Sequence, residues 1–267
     1  MTAFPALAAY LLALADDELI LGHRNSEWCG HAPILEEDIA FANLAQDELG
    51  HAALWFRLVE TLTGQSADQL IFYRAAADYR CAQLVELPKG DWAFSMLRQY
   101  LFDAAEAIRL PLLAQSAHAP LAETALKIRT EEIYHLRHSR AWIKRLGLGT
   151  DESHRRTQSA LDALWPYTTQ LFRPPPESVP WPDASGIVPS PRDVERAWSD
   201  LVIPFLTDCG LTVPSPSPSA SPSVPTRRDT LPDRGTLPHR DTHTPHLAAL
   251  LDEMQSVARL EPDGVSW

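Results

Sequence analysis

The segment Asp47-Glu48-Leu49-Gly50-His51 has an echo later in the chain, Glu131-Glu132-Ile133-Tyr134-His135. On a helix, residues three apart share a face, so each Glu-x-x-His turns one carboxylate and one imidazole in the same direction. A single pair of this kind is a common accident. Two such pairs, with one lone Glu from each of two other helices, make the ligand set of a two-metal carboxylate centre in a helical bundle. Glu18 and Glu106 are the candidates for the lone positions. The chain then offers Glu18, Glu48, His51, Glu106, Glu132 and His135 in the order E, ExxH, E, ExxH. Oxygen and imidazole donors with open positions suit iron or manganese, and a carboxylate-bridged pair of such ions can bind and reduce dioxygen.

Each candidate has a plainer alternative. Glu18 lies on a helical stripe with Leu11, Leu14, Ala15, Leu21 and Gly22, where a carboxylate is costly unless it is paired or bound to metal; Asp16 and Asp17 point away from that stripe. It could instead sit at the edge of the stripe and reach solvent. Around Glu48 the same face holds Phe41, Leu44, Ala45, His51, Ala52 and Trp55. A lone His on such a face is most often a satisfied core residue, but here two polar groups would both need partners. Glu106 shares its face with Phe102, Asp103, Leu110 and Leu113, and an i,i+3 salt bridge to Arg109 would account for it without metal. Asp47 and Glu131, one residue before each motif Glu, are candidates to accept the second N–H of a ligating histidine across the bundle; otherwise they are surface acids.

Hydrophobic periodicity supplies the helices that must position these groups. The spacing predicts helices over about 5–25, 34–63, 91–118 and 120–146, with Gly64 and Gly147 as stops and a long connection over 65–90 that includes a helix over 67–80. From Glu106 to the turn at Ala119-Pro120 is about 13 residues and from there to Glu132 about 12, so at about 1.5 Å per residue the third and fourth helices bring their ligands to similar heights. Further helices are expected over 151–172 and 191–206. The fold class is all-α, a four-helix bundle with additional C-terminal helices. Residues 1–212 form the bundle and its appended helices, 213–240 a Pro/Ser-rich disordered insertion, and 241–267 a C-terminal helix that docks back on the bundle.

Composition excludes several classes. A formal charge of -12 and an isoelectric point near 5.2 weigh against a nucleic-acid or anionic-membrane surface. Cys29, Cys81 and Cys209 are few and scattered, so neither a disulfide framework nor a thiolate zinc site is indicated, and a cytoplasmic setting is the default. The apolar run from Ala3 to Ala15 lacks a basic start, and no run reaches the roughly 18–20 residues of a membrane span. There is no His-Glu-x-x-His, no phosphate-binding glycine loop and no Gly-x-Ser-x-Gly. Trp55 stands one turn after the first motif histidine, where a radical-generating centre would want a tyrosine.

Longer strings around the motifs carry a resemblance. Glu27-Trp28-Cys29-Gly30-His31-Ala32-Pro33, Tyr134-His135-Leu136-Arg137-His138-Ser139-Arg140-Ala141-Trp142 and Arg145-Leu146-Gly147-Leu148-Gly149-Thr150 are similar to the C subunits of bacterial multicomponent phenylacetyl-CoA 1,2-epoxidases, the PaaC type of ferritin-like di-iron carboxylate protein. His243-Thr244-Pro245-His246-Leu247, Asp252-Glu253-Met254-Gln255 and Trp267 resemble that family's tail. The resemblance implies an oxygenase complex of phenylacetate degradation that epoxidises the ring of phenylacetyl-CoA. Its partners would be a paralogous A subunit with the catalytic di-iron centre and an iron-sulfur flavin reductase. It also implies that C subunits are structural and have commonly lost metal ligands, whereas all six positions stand here. A stand-alone di-iron oxygenase and a ferritin-like metal store are the competing readings. Which residues are catalytic is open. Arg137, Arg140, Lys144 and Arg145 form the basic group that would meet a coenzyme A phosphate or an acidic partner, if they are not simply a solvated helix end.

Overall fold

The computed structural model describes residues 4–178, 186–214 and 239–260, and no strand occurs among them. In chain order the helices are α1 (Phe4–Ser26), α2 (Leu35–Thr63), α3 (Ala67–Phe72), α4 (Gln83–Glu86), α5 (Trp92–Leu113), α6 (Ala119–Gly147), α7 (Asp151–Leu164), α8 (Pro191–Asp208) and α9 (Pro245–Met254), with short 3-10 turns between some of them. The class is all-α, consistent with a ferritin-like helical bundle. Most of the expected Pro/Ser-rich insertion, residues 215–238, lies outside the described residues.

Three helices end earlier than their periodicity suggests. The helix expected over 67–80 stops at Phe72: a capping box between Ser66 and Gln69 starts it, and the chain then turns through the 3-10 segment Ala76–Asp78. The helix expected over 151–172 changes at Trp165 from α to 3-10 geometry. Pro166 explains the change, because it has no N–H to donate back one turn. The third predicted helix ends at Leu113 rather than His118, with Pro111 in its last turn.

The chain divides into two compact units. One takes in the described residues of Met1–Pro88, Pro174–Ser185 and His239–Trp267. Its axis is α1, which packs on α2, α4 and the 3-10 turn Pro176–Ser178, so that Leu7, Leu11, Leu14, Leu19, Ile20 and Leu21 are all buried. The apolar run that lacks a signal peptide's basic start is therefore a core helix. A side chain at Gly22 would have its Cβ 3.0 Å from Leu49 Cγ and 3.2 Å from the Ala45 carbonyl, so Gly22 sets the close approach of α1 to α2 beside Glu48. The second unit takes in the described residues of Lys89–Arg173 and Gly186–Pro238. There α5 packs on α6, α7 and α8. Trp198 of α8 donates from Nε1 to the Leu101 carbonyl at 3.0 Å, and the Tyr100 ring packs tilted against Phe205 at 4.9 Å between ring centroids.

Gly22→Val is expected to cost about 1–3 kcal/mol by overpacking the α1–α2 contact. Gly50→Ala, whose Cβ would meet nothing within 4 Å, is expected to gain up to about 1 kcal/mol from helix propensity. Urea unfolding of the two variants checks the contrast, and equal shifts would contradict it.

Candidate metal centre

In the first unit Glu18 comes from α1, and Glu48 and His51 from α2; they are 1%, 0% and 1% exposed. His51 Nδ1 lies 3.7 Å from Glu18 Oε2 and 3.9 Å from Glu48 Oε2. Both separations are too long for hydrogen bonds. They are within reach of a common ion, since two donors each about 2.0–2.2 Å from a metal stand no more than about 4.4 Å apart. The donor set fits a hard or borderline divalent cation: two carboxylates and one imidazole, buried, with their ligand atoms turned toward one another. Phe41, Leu44 and Trp55, at helical spacing from Glu48 and His51 on α2, are fully or nearly fully buried.

Glu18 is the third acid of a row, and the other two are as deeply buried. Asp16 forms an ion pair with Arg74 and accepts from the Arg80 backbone N–H at 2.7 Å. Asp17 accepts from the Ala82 N–H at 2.6 Å and from Arg240 Nη1 at 2.8 Å. Three successive carboxylates thus leave α1 in three directions, and two of them are held by arginines from elsewhere in the same unit. Sequence reading placed Asp16 and Asp17 off the Glu18 stripe but missed their burial. The signal was there, since three adjacent acids in an otherwise apolar helix must each find a donor. Their partners were not legible, because Arg74 is 58 and Arg240 is 223 residues from the acid it binds.

In the second unit Glu132 and His135 of α6 are 2% and 3% exposed, with His135 Nδ1 3.0 Å from Glu132 Oε1. Glu106 of α5 is 1% exposed and forms an ion pair with Arg109, whose other amino group donates to the Leu171 carbonyl at 2.9 Å. The i,i+3 alternative for Glu106 is therefore realised, and a guanidinium sits where this half of a metal set would place positive charge. Asp103, one turn before Glu106, is a further polar anchor that the sequence did not single out. It accepts from Gln99 Nε2 at 2.6 Å and from Ser139 Oγ at 2.7 Å, tying α5 to α6. Glu106 and Glu132 both line a cavity of about 420 Å³ with apolar walls from Leu110, Pro111 and Ile133.

Among the remaining candidates, Asp47 is half-buried and Glu131 exposed. Of the basic group, Arg137 and Arg140 line the same cavity, Arg140 lies over the Phe205 ring at 4.4 Å, and Arg145 lies over Trp142 at 4.7 Å. No helix among the described residues is long and apolar enough to cross a membrane.

With this geometry established, comparison with known proteins decides the family. The model of the phenylacetic acid catabolic protein family matches residues 2–267. The chain belongs to that family. Within it, the chain is 35% identical over 262 residues to the C subunit of the 1,2-phenylacetyl-CoA epoxidase of Escherichia coli K12, covering 98% of this chain and 99% of that one. It is also 24% identical over 208 residues to the A subunit of the same epoxidase, covering 76% of this chain and 66% of that one. The two phenylacetic acid catabolic relatives thus match to different depths, and the C subunit matches from end to end.

Arg109→Leu is expected to destabilise metal-free protein by about 3–5 kcal/mol, the usual cost of breaking a buried ion pair from one side. Saturating Fe²⁺ or Mn²⁺ should shrink that loss, because a cation near Glu106 replaces the missing charge. Equal losses in urea unfolding with and without the ion would argue against a metal at Glu106.

Proposed function

We propose that this chain is the C-type subunit of a phenylacetyl-CoA epoxidase, pairing with an A-type paralogue. The end-to-end match to a C subunit, beside the shallower match to an A subunit, carries this reading. On it, the substrate of the complex is phenylacetyl-CoA, reducing equivalents come from a separate iron-sulfur flavin reductase, and the setting is cytoplasmic.

We further propose that Glu18, Glu48, His51, Glu106, Glu132 and His135 serve as a di-metal ligand set, with iron the first candidate and manganese the second. The support is their order in the sequence, the burial of all six, and the way each half turns its donors together. When bound, an iron pair would supply the reduction of dioxygen. The chain's own residues have simpler tasks. Glu18 and Glu48 neutralise the charge of the ion in the first unit, and His51 presents Nδ1 to it. Phe41 and Trp55 keep water from that half. Asp47 and Glu131 are the proposed acceptors for the ligating histidines' second N–H groups.

A structural role without turnover of its own is the second reading, and one observation favours it. Arg109 already compensates Glu106, so the second unit can keep its buried carboxylate without a metal. A metal-free scaffold would then contribute shape alone to the complex.

The test is iron content and ring epoxidation of the complex reconstituted with an A-type paralogue and reductase, using wild type and the Glu48→Ala/His51→Ala double variant. The di-metal reading predicts that the variant loses iron affinity by at least roughly tenfold. Unchanged iron content would contradict it. Failure of wild-type chain to assemble with the A-type paralogue would contradict the C-type reading separately.

A further inference from the structure

A second cluster of ligating groups lies in the same unit and contains none of the six motif residues. Cys81 and Glu86, which flank and end α4, meet His243 from just ahead of α9, and their donor atoms all lie within 4.8 Å of one another. Cys81 and Glu86 are 0% exposed, and the His243 side chain is 9% exposed.

The surroundings fix which atom each residue turns inward. His243 Nε2 is 3.0 Å from the Tyr79 carbonyl, which only accepts, so Nε2 carries a hydrogen and Nδ1 is the atom facing the cluster. Glu86 Oε2 accepts from the Thr244 N–H at 2.6 Å, which leaves Oε1 facing inward. Cys81 Sγ lies 3.6 Å and His243 Nδ1 2.6 Å from that Oε1. A histidine that donates its outer N–H to a backbone carbonyl and a carboxylate with its second oxygen held are the orienting contacts typical of metal ligands. We infer that Cys81, Glu86 and His243 form a structural site for a borderline divalent cation of the zinc type, which staples the C-terminal segment to the crossover after α3.

Charge supports the exchange. The 2.6 Å contact between His243 Nδ1 and Glu86 Oε1 is a hydrogen bond, so one hydrogen lies between those atoms, and the Cys81 thiol carries another. Burial first, then the nearby carboxylates of Glu86, Asp16 and Asp17, hold that thiol well above its usual range, so it keeps its proton until a cation displaces it. Binding one divalent ion releases both protons and forms metal bonds to thiolate sulfur, carboxylate oxygen and imidazole nitrogen. The buried group has zero net charge before and after, so the ion enters without an uncompensated charge. Bonds of about 2.3 Å to sulfur and 2.0–2.2 Å to oxygen and nitrogen give tetrahedral edges of about 3.5 Å for S–O and 3.3 Å for N–O. The 3.6 Å S–O separation matches its edge, while the 2.6 Å N–O contact must open by about 0.7 Å. The fourth position is left to water.

Titrating metal-free, reduced full-length protein with Co²⁺ tests this. The expected result is a thiolate-to-cobalt charge-transfer band whose limiting absorbance corresponds to one cobalt-bound thiolate per chain, with proton release into a weakly buffered indicator that tracks the band. Cys81→Ser should abolish the band, while Cys29→Ser and Cys209→Ser keep it. His243→Gln, which retains the thiol, should weaken Co²⁺ binding at this site at least about tenfold. No band in wild type, a band that survives Cys81→Ser, or unchanged affinity in His243→Gln would overturn the site and leave a hydrogen-bonded latch. The motif carboxylates and imidazoles contain no sulfur and give no such band, so this site and the di-metal reading fail separately.

Discussion

A helix buried on its apolar faces that also carries Asp16, Asp17 and Glu18 in succession can exist only if each carboxylate is compensated inside the protein. Successive residues on a helix are about 100° apart, so the three acids cannot share one partner. The first unit is arranged around that requirement. Arg74 and the Arg80 backbone take Asp16; Ala82 and Arg240 take Asp17; and Glu18 is left facing Glu48 and His51 on α2. Because the first two acids are anchored, the rotation of α1 about its axis is fixed, and with it the direction of Glu18. Gly22 then allows α2 to come close enough for His51 to stand 3.7 Å from that carboxylate.

The same economy of partners distinguishes the second unit. Its buried acids are satisfied largely by neighbours on the same or adjoining helix: Asp103 by Gln99 and Ser139, Glu106 by Arg109, and Glu132 by His135. A unit that can neutralise its own carboxylates folds without metal. In the first unit Glu18, Glu48 and His51 turn their ligand atoms toward one another, with His51 Nδ1 3.7 Å from Glu18 Oε2 and 3.9 Å from Glu48 Oε2. The two halves of the E, ExxH, E, ExxH pattern are alike in sequence, and in the second the Arg109 guanidinium pairs with one of the carboxylates.

That contrast also marks what a reader of the sequence can recover. The helices that carry the motifs were legible because long apolar stripes repeat at helical spacing, and the motif residues were legible because Glu-x-x-His stands on those stripes. The Glu106–Arg109 pair was legible as an i,i+3 alternative. Helix ends were less so where the change is local chemistry, as at Tyr73, which closes α3, and at Pro166, beyond which α7 gives way to 3-10 geometry. The partners of Asp16, Asp17 and Glu86 were not legible at all. They arrive from Arg74, Arg240, His243 and Thr244, and no periodicity links residues so far apart in the chain.

On the proposed reading, the first unit's inward-facing donors hold a cation. X-ray data collected at the iron absorption edge, on crystals of protein prepared with iron present throughout, test it most directly. An anomalous peak bonded to Glu18, Glu48 and His51 is the predicted result. Iron-replete crystals with no peak there, and with His51 Nδ1 drawn into a direct hydrogen bond to Glu18 or Glu48, would contradict it.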